Sequence, residues 1–140
     1  MRRFKKTKAQ LSMEYMTIMG FVILITIPLT LIYYHYSNTT ADEISMNQLM
    51  QITRKIADSA DSVYYLGKPS ETTVKVFMPH GVQSVNITHN EISFTIMTVS
   101  GSSDIVASTN VNVSGTIPIS RGIHFINLKA EDYYVNISGS

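Results

Sequence analysis

Twenty consecutive residues, Tyr15 to Tyr34, carry no charge, and this run restricts the fold more than any other feature of the chain. A helix rises about 1.5 Å per residue, so such a run spans the roughly 30 Å hydrocarbon core of a bilayer. Its apolar side chains, among them Met16, Ile18, Phe21, Leu24, Ile27 and Leu31, point in every direction around a helix. That distribution suits a membrane span or the centre of a helix bundle. Immediately before it stands Glu14, preceded by a basic block in which Arg2, Arg3, Lys5, Lys6 and Lys8 fall within eight residues. An ionisable group at the lip of a span costs free energy to bury, which makes Glu14 a candidate functional residue.

Pro28 lies inside the run, removes one backbone donor and crowds the carbonyl of Leu24, so a local kink or loosened turn is expected there. Thr26, Thr30 or a neighbouring helix can satisfy the freed groups. Met13, Met16 and Met19 recur at helical spacing and read as packing rather than as metal or haem ligands.

The whole chain has 140 residues, room for one domain and an appendage, and a net charge of +1. Past the basic block, six cations face ten acids, a net of about −4. The positive charge is thus a terminal membrane flank and not a surface stripe, and nucleic acid is excluded as a partner on that ground. Lys and Arg beside a span mark the cytoplasmic side, which puts everything after Tyr34 outside. Cysteine is absent, so there is no disulfide framework, thiol nucleophile or cysteine-based metal site.

An ordinary secretory signal has a shorter apolar core and a small-residue cleavage site after it. Here the run is longer and ends in Tyr33-Tyr34-His35-Tyr36, a suitable interfacial belt. The plain alternative is therefore a single-pass anchor, with Glu14 snorkelling at the cytoplasmic edge.

The segment Lys8-Ala9-Gln10-Leu11-Ser12-Met13-Glu14-Tyr15 resembles the class III signal peptides of archaeal type IV pilin-like proteins. In that family a basic leader ends in a small residue, followed by Gln, then Ser two on and Glu four on, then the hydrophobic helix. Many relatives have Gly where this chain has Ala9. The resemblance covers about the first 35 residues. It implies a leader at 1–9, cleaved by a prepilin peptidase between Ala9 and Gln10, with Lys8, Ala9, Gln10, Ser12 and Glu14 as the recognition junction. Cleavage would make Gln10 the new N-terminal ammonium, with a pKa near ~8. Pairing of Glu14 with a neighbour's ammonium would then fix register between subunits, because an unpaired buried charge is costly.

Beyond the belt, Ile44, Leu49, Ile52, Ile56, Ala60, Val63 and Leu66 recur mostly at three- and four-residue intervals, with Gln48, Gln51, Arg54, Lys55, Asp58 and Asp61 between them. This predicts an amphipathic helix over 37–67, ended by Gly67-Lys68-Pro69. Thr40 and Glu43 match a capping box that would start a separate helix; a continuous or gently kinked helix from about Leu11 to Leu66 is the preferred reading.

From Ser70 the period falls to two. Strands are predicted at Thr73–Met78, Val82–Thr88, Ile92–Thr98, Ile105–Ala107, Asn110–Val113, Thr116–Ile119, His124–Leu128 and Tyr133–Ile137, with Gly115 among the turn residues. The fold class is α+β: a long N-terminal helix, with a span at 10–36 and an amphipathic half at 37–67, packed on a small antiparallel β-domain at 70–140. By resemblance it is type IV pilin-like.

No catalytic constellation emerges. His35, His80, His89 and His124 lack metal-ligand spacing, no nucleophile elbow or phosphate loop occurs, and Glu131 and Asp132 read as a solvated loop. Asn38, Asn86, Asn112 and Asn136 each begin an Asn-x-Ser/Thr triplet, the acceptor motif for N-glycosylation, with Asn38 the poorest for its nearness to the membrane.

The expectation is a non-enzymatic pilin or minor pilin without cofactors. It begins as a precursor in the cytoplasmic membrane and ends in an extracellular filament with an adhesive or surface-attachment role. The implied partners are further copies of itself or related pilins, the prepilin peptidase, the membrane and the pilus assembly machinery. The alternative is a non-polymerising anchored protein whose outward β-domain binds a ligand or partner.

Overall fold

The computed structural model describes the backbone of residues 4–140 and the side chains of residues 12–140 apart from Asn38. The fold is α+β: one helix, α1 (Phe4–Leu66), precedes seven strands. The chain divides into two compact units, Met1–Thr40 and Ala41–Ser140.

In the first unit α1 carries the uncharged run, and none of its apolar window is buried within the protein. The helix is long and apolar enough to cross a membrane. Two Thr hydroxyls inside it bond back along the helix: Thr17 donates to the Met13 carbonyl at 2.9 Å and Thr30 to that of Thr26 at 2.8 Å. Such back-bonding lets a hydroxyl sit in an apolar solvent without an unmet donor. The helix passes through Pro28 as a single element, and the Thr30 bond goes to Thr26, not to Leu24, the carbonyl that Pro28 leaves without its donor.

The helix also continues through 37–40. Thr40 is no cap: its hydroxyl donates to the Tyr36 carbonyl at 3.0 Å, one turn back inside the same helix. At the other end Gly67 adopts φ +74°, and its amide donates to the Tyr64 carbonyl at 3.0 Å. This left-handed closing turn is the one a glycine makes without a Cβ penalty.

In the second unit the strands are β1 (Glu71–Met78), β2 (Val82–Thr88), β3 (Glu91–Thr98), β4 (Gly101–Ser108), β5 (Val113–Thr116), β6 (Gly122–Ala130) and β7 (Val135–Gly139). They form a four-stranded sheet, β1-β6-β7-β5, and a three-stranded meander, β2-β3-β4. Pairing is antiparallel except for β5 and β7, which run parallel, so the sheet is mixed and not purely antiparallel. The segments expected as strands at Asn110–Val113 and Thr116–Ile119 merge into the single short β5 between them.

Gly115 explains that difference. It lies within β5 opposite Ile137 at φ +143°, and a Cβ built there would overlap the Ile137 carbonyl. A residue expected to break the chain is instead what lets two backbones pair closely.

Both sheets turn alternate side chains inward. Val74, Val76 and Met78 of β1, Ile92, Phe94 and Ile96 of β3, and Ile126 and Leu128 of β6 form one core cluster with Leu49, Ile52, Ile56 and Ala60 of α1. The helical stripe is thus real but shorter than its period suggests, because Ile44 and Leu66 are exposed. Fully burying one such Ile or Leu contributes about 1.5–3 kcal/mol.

Two substitutions test this packing in the detergent-solubilised chain. Ile56→Ala is expected to cost the β-rich unit about 2–5 kcal/mol by denaturant titration, whereas Ile123→Ala at an exposed position should change it by about 0.5 kcal/mol or less. Gly115→Ala should cost at least as much as Ile56→Ala, and amide exchange should show β5 freed from β7.

Candidate functional site: the assembly junction and the head surface

The residues expected at the processing junction fall on one helix. Lys8, Ala9 and Gln10 belong to α1, and their side chains lie outside the described residues. Ser12 and Glu14 are exposed, as are Met13, Tyr15 and Met16 beside them. Glu14 therefore projects from the helix at the start of its long apolar run. Among the described residues no side chain is hydrogen-bonded or ion-paired to it. Tyr33, Tyr34 and Tyr36 are also exposed at the far end of the run, where a ring with a polar tip suits a membrane interface.

A set of anchors that periodicity alone does not reveal holds the amphipathic part of α1 to its sheets. The Val99 amide, in the turn between β3 and β4, donates to Asp42 Oδ2 at 2.6 Å. Nineteen residues on, Asp61 accepts from the Asn110 amide at 3.0 Å and from Asn110 Nδ2 at 2.8 Å. Each carboxylate satisfies loop donors that no strand partner serves. Asp61 looks like a solvated helix residue in the sequence; the only cue was an acid beside the buried stripe, which solvation explains equally well.

A third anchor follows the helix end. Lys68 Nζ lies 2.9 Å from Glu131 Oε2 and 3.0 Å from Asp132 Oδ2. The hydrogen bonds that Lys68 donates to Glu131, then to Asp132, raise its pKa above the ordinary lysine value. A lysine pKa raised by carboxylates contributes stability while those carboxylates are ionised. The contribution is lost as the pH rises through the folded lysine value, so this anchor holds throughout the neutral range. Glu131 and Asp132, expected as a solvated loop, do lie in a loop with Asp132 exposed, and both are ion-paired with Lys68.

The histidines do not converge. His80 and His89 are exposed, and His124 lies against the Ser120 carbonyl at 2.7 Å and Ser120 Oγ at 3.2 Å. Among the described residues no group of three His, Asp or Glu side chains is placed to hold a metal.

The acceptor triplets do converge. Asn86 on β2, Asn112 just before β5 and Asn136 on β7 are all exposed. Ser114, the third residue of the Asn112 triplet, sits opposite Asn136 in the parallel pair. The Asn112 carbonyl accepts from the Val135 amide at 2.8 Å. Triplets far apart in the sequence thus share one edge of the head. The side chain of Asn38 lies outside the described residues.

Compared with protein-family models, curated proteins and solved structures, the chain finds no match. The functional reading therefore rests on the junction and on the surfaces described above.

The anchors make a direct prediction. Asp42→Ala and Asp61→Ala should each lower the stability of the head by about 1–2 kcal/mol. Their effects should add in the double variant, because the sites lie well apart on the helix. Asp58→Ala, an exposed control, should stay within about 0.5 kcal/mol, all read from denaturant midpoints.

Proposed function

We propose that this chain is a structural subunit, a pilin or minor pilin, of an archaeal type IV pilus-like cell-surface filament. The observation that carries the reading is a single helix with two incompatible environments. Its second half is buried against a β-rich head, and its first half offers an apolar surface that the protein itself leaves wholly uncovered. A helix of that kind needs lipid, other helices, or each in turn.

The precursor lies in the cytoplasmic membrane with its basic leader inside and its head outside. The peptidase cuts between Ala9 and Gln10, reading Lys8, Ser12 and Glu14. Assembly then replaces the lipid around α1 with neighbouring helices. In that bundle the Gln10 ammonium of one subunit pairs with the Glu14 carboxylate of another, and packing supplies the rest of the affinity. The head, whose acceptor triplets support a glycosylated outer surface, faces the medium and serves attachment.

The plain anchor shares the membrane span but not the processing, so two measurements separate the readings. Peptide mapping of the abundant cellular form should give an N-terminus at Gln10; an intact Met1 terminus would favour the non-polymerising anchor. Glu14→Gln should be processed and inserted normally yet lower filament yield about tenfold or more, since an unpaired buried charge costs about 3–5 kcal/mol. Normal filament yield from that variant would remove Glu14 from the assembly contact.

A further inference from the structure

A groove of about 440 Å³ lies at the seam of the two sheets, between the end of β2 and the turn that leads into β7. Thr88 and His89 line one side, Tyr133 and Tyr134 another, and Asn112 and Ser114 complete it. Its size falls within the range of small-molecule sites. Tyr133 is 82% exposed, an aromatic ring left open to the surroundings by the described residues.

The wall that carries the tyrosines is fixed. Glu131 and Asp132 immediately before it are held by Lys68, and the Glu131 amide donates to the Tyr134 carbonyl at 2.9 Å. The opposite wall is fixed as well, because the Val113 amide donates to the His89 carbonyl at 2.8 Å and joins β5 to the turn after β2. The backbone that carries the two rings is therefore fixed in place before contact, which lowers the ordering cost of binding there.

We propose that this groove seats the first sugars of an N-linked glycan carried by Asn112 of the same chain. Three observations name that occupant. Asn112 and Ser114, the acceptor and the hydroxyl of one glycosylation triplet, both line the groove. The apolar C–H face of a pyranose matches an exposed tyrosine ring, while the Thr88 hydroxyl and His89 imidazole supply polar partners for sugar hydroxyls. A tethered sugar also binds at high effective concentration, so a shallow groove suffices. Asn86 and Asn136 are exposed, but neither lines this groove.

The modification consumes a lipid-linked glycosyl phosphate presented outside the cell. Asn112 Nδ2 forms a bond to the anomeric carbon, the bond from that carbon to the phosphate oxygen breaks, and one amide proton leaves to the transferase. The phosphate departs with the electron pair.

The proposal rests on the outward placement of the head in the functional reading above. One preparation tests both: the chain purified from the cells that make it, mapped for its N-terminus and for glycan at Asn112. A Gln10 terminus with a bare Asn112 overturns the glycan proposal alone, and a Met1 terminus with an occupied Asn112 overturns the filament reading alone. A Met1 terminus with a bare Asn112 overturns both.

Seating is tested by stability. Tyr133→Ala should lower the thermal midpoint of the glycosylated head by a few degrees. It should leave the midpoint unchanged in the Ser114→Ala background, which lacks the acceptor triplet, and in an Asn112→Gln background that guards against misfolding at β5. An equal loss in all backgrounds would make Tyr133 a structural residue only and would overturn the seating. Binding of free oligosaccharide to a groove with a bare Asn112 would also overturn it, in favour of an external ligand.

Discussion

An apolar helix surface with no partner inside its own chain is the constraint on which everything else depends. In an ordinary globular domain a helix buries one stripe and wets the rest. Here Phe21, Val22, Leu24, Ile25, Ile27, Leu29, Leu31 and Ile32 are all exposed, on every side of α1. Left in water, such a surface forfeits about 1.5–3 kcal/mol of burial for each side chain. Lipid satisfies it, and so does a bundle of like helices; in both environments each backbone donor must be met within the helix. The Thr17 and Thr30 hydroxyls are likewise met by helix carbonyls, and Glu14 is the side-chain charge that a dry bundle would have to pair.

The remainder of the chain solves a different problem: how to end such a helix in a stable, water-facing body. The strands enclose a small volume by themselves, and Leu49, Ile52, Ile56 and Ala60 complete it from the helix side. Asp42, Asp61 and Lys68 then fix the helix to the loops at three separate points. A force on the helix would therefore be carried into both sheets and not into one strand. Buried polar groups are few and met: Thr53 donates to the Leu49 carbonyl and Thr109 to that of Val111, both at 2.7 Å.

Much of this was legible in the residues. Charge-free length identified a helix long and apolar enough to cross a membrane, a shift from all-round to one-sided apolarity marked where the helix meets the strands, and two-residue alternation found most strands. What escaped detection depends on chains meeting in space. Gly115 reads as a turn until Ile137 is seen against it, and the parallel β5–β7 pair has no local signature. Asp61 and Asp42 look like solvated acids because hydrogen bonds to a distant loop leave no periodic trace. Ile44 and Leu66 keep the helical period, yet they lie beyond the reach of the sheets. Thr40 and Glu43 have the spacing of a cap, but a helix already running through them leaves no orphan donors to cap.

The central claim is that the uncovered half of α1 exchanges lipid for copies of itself. Electron cryomicroscopy of filaments sheared from the cell surface tests it most directly. The account predicts a core of packed α1 helices beginning at Gln10, Glu14 within reach of a neighbour's N-terminus, and the β-rich heads on the outside. Filaments built without this chain, with the chain itself retained as a single unpaired span in the membrane fraction, would contradict it.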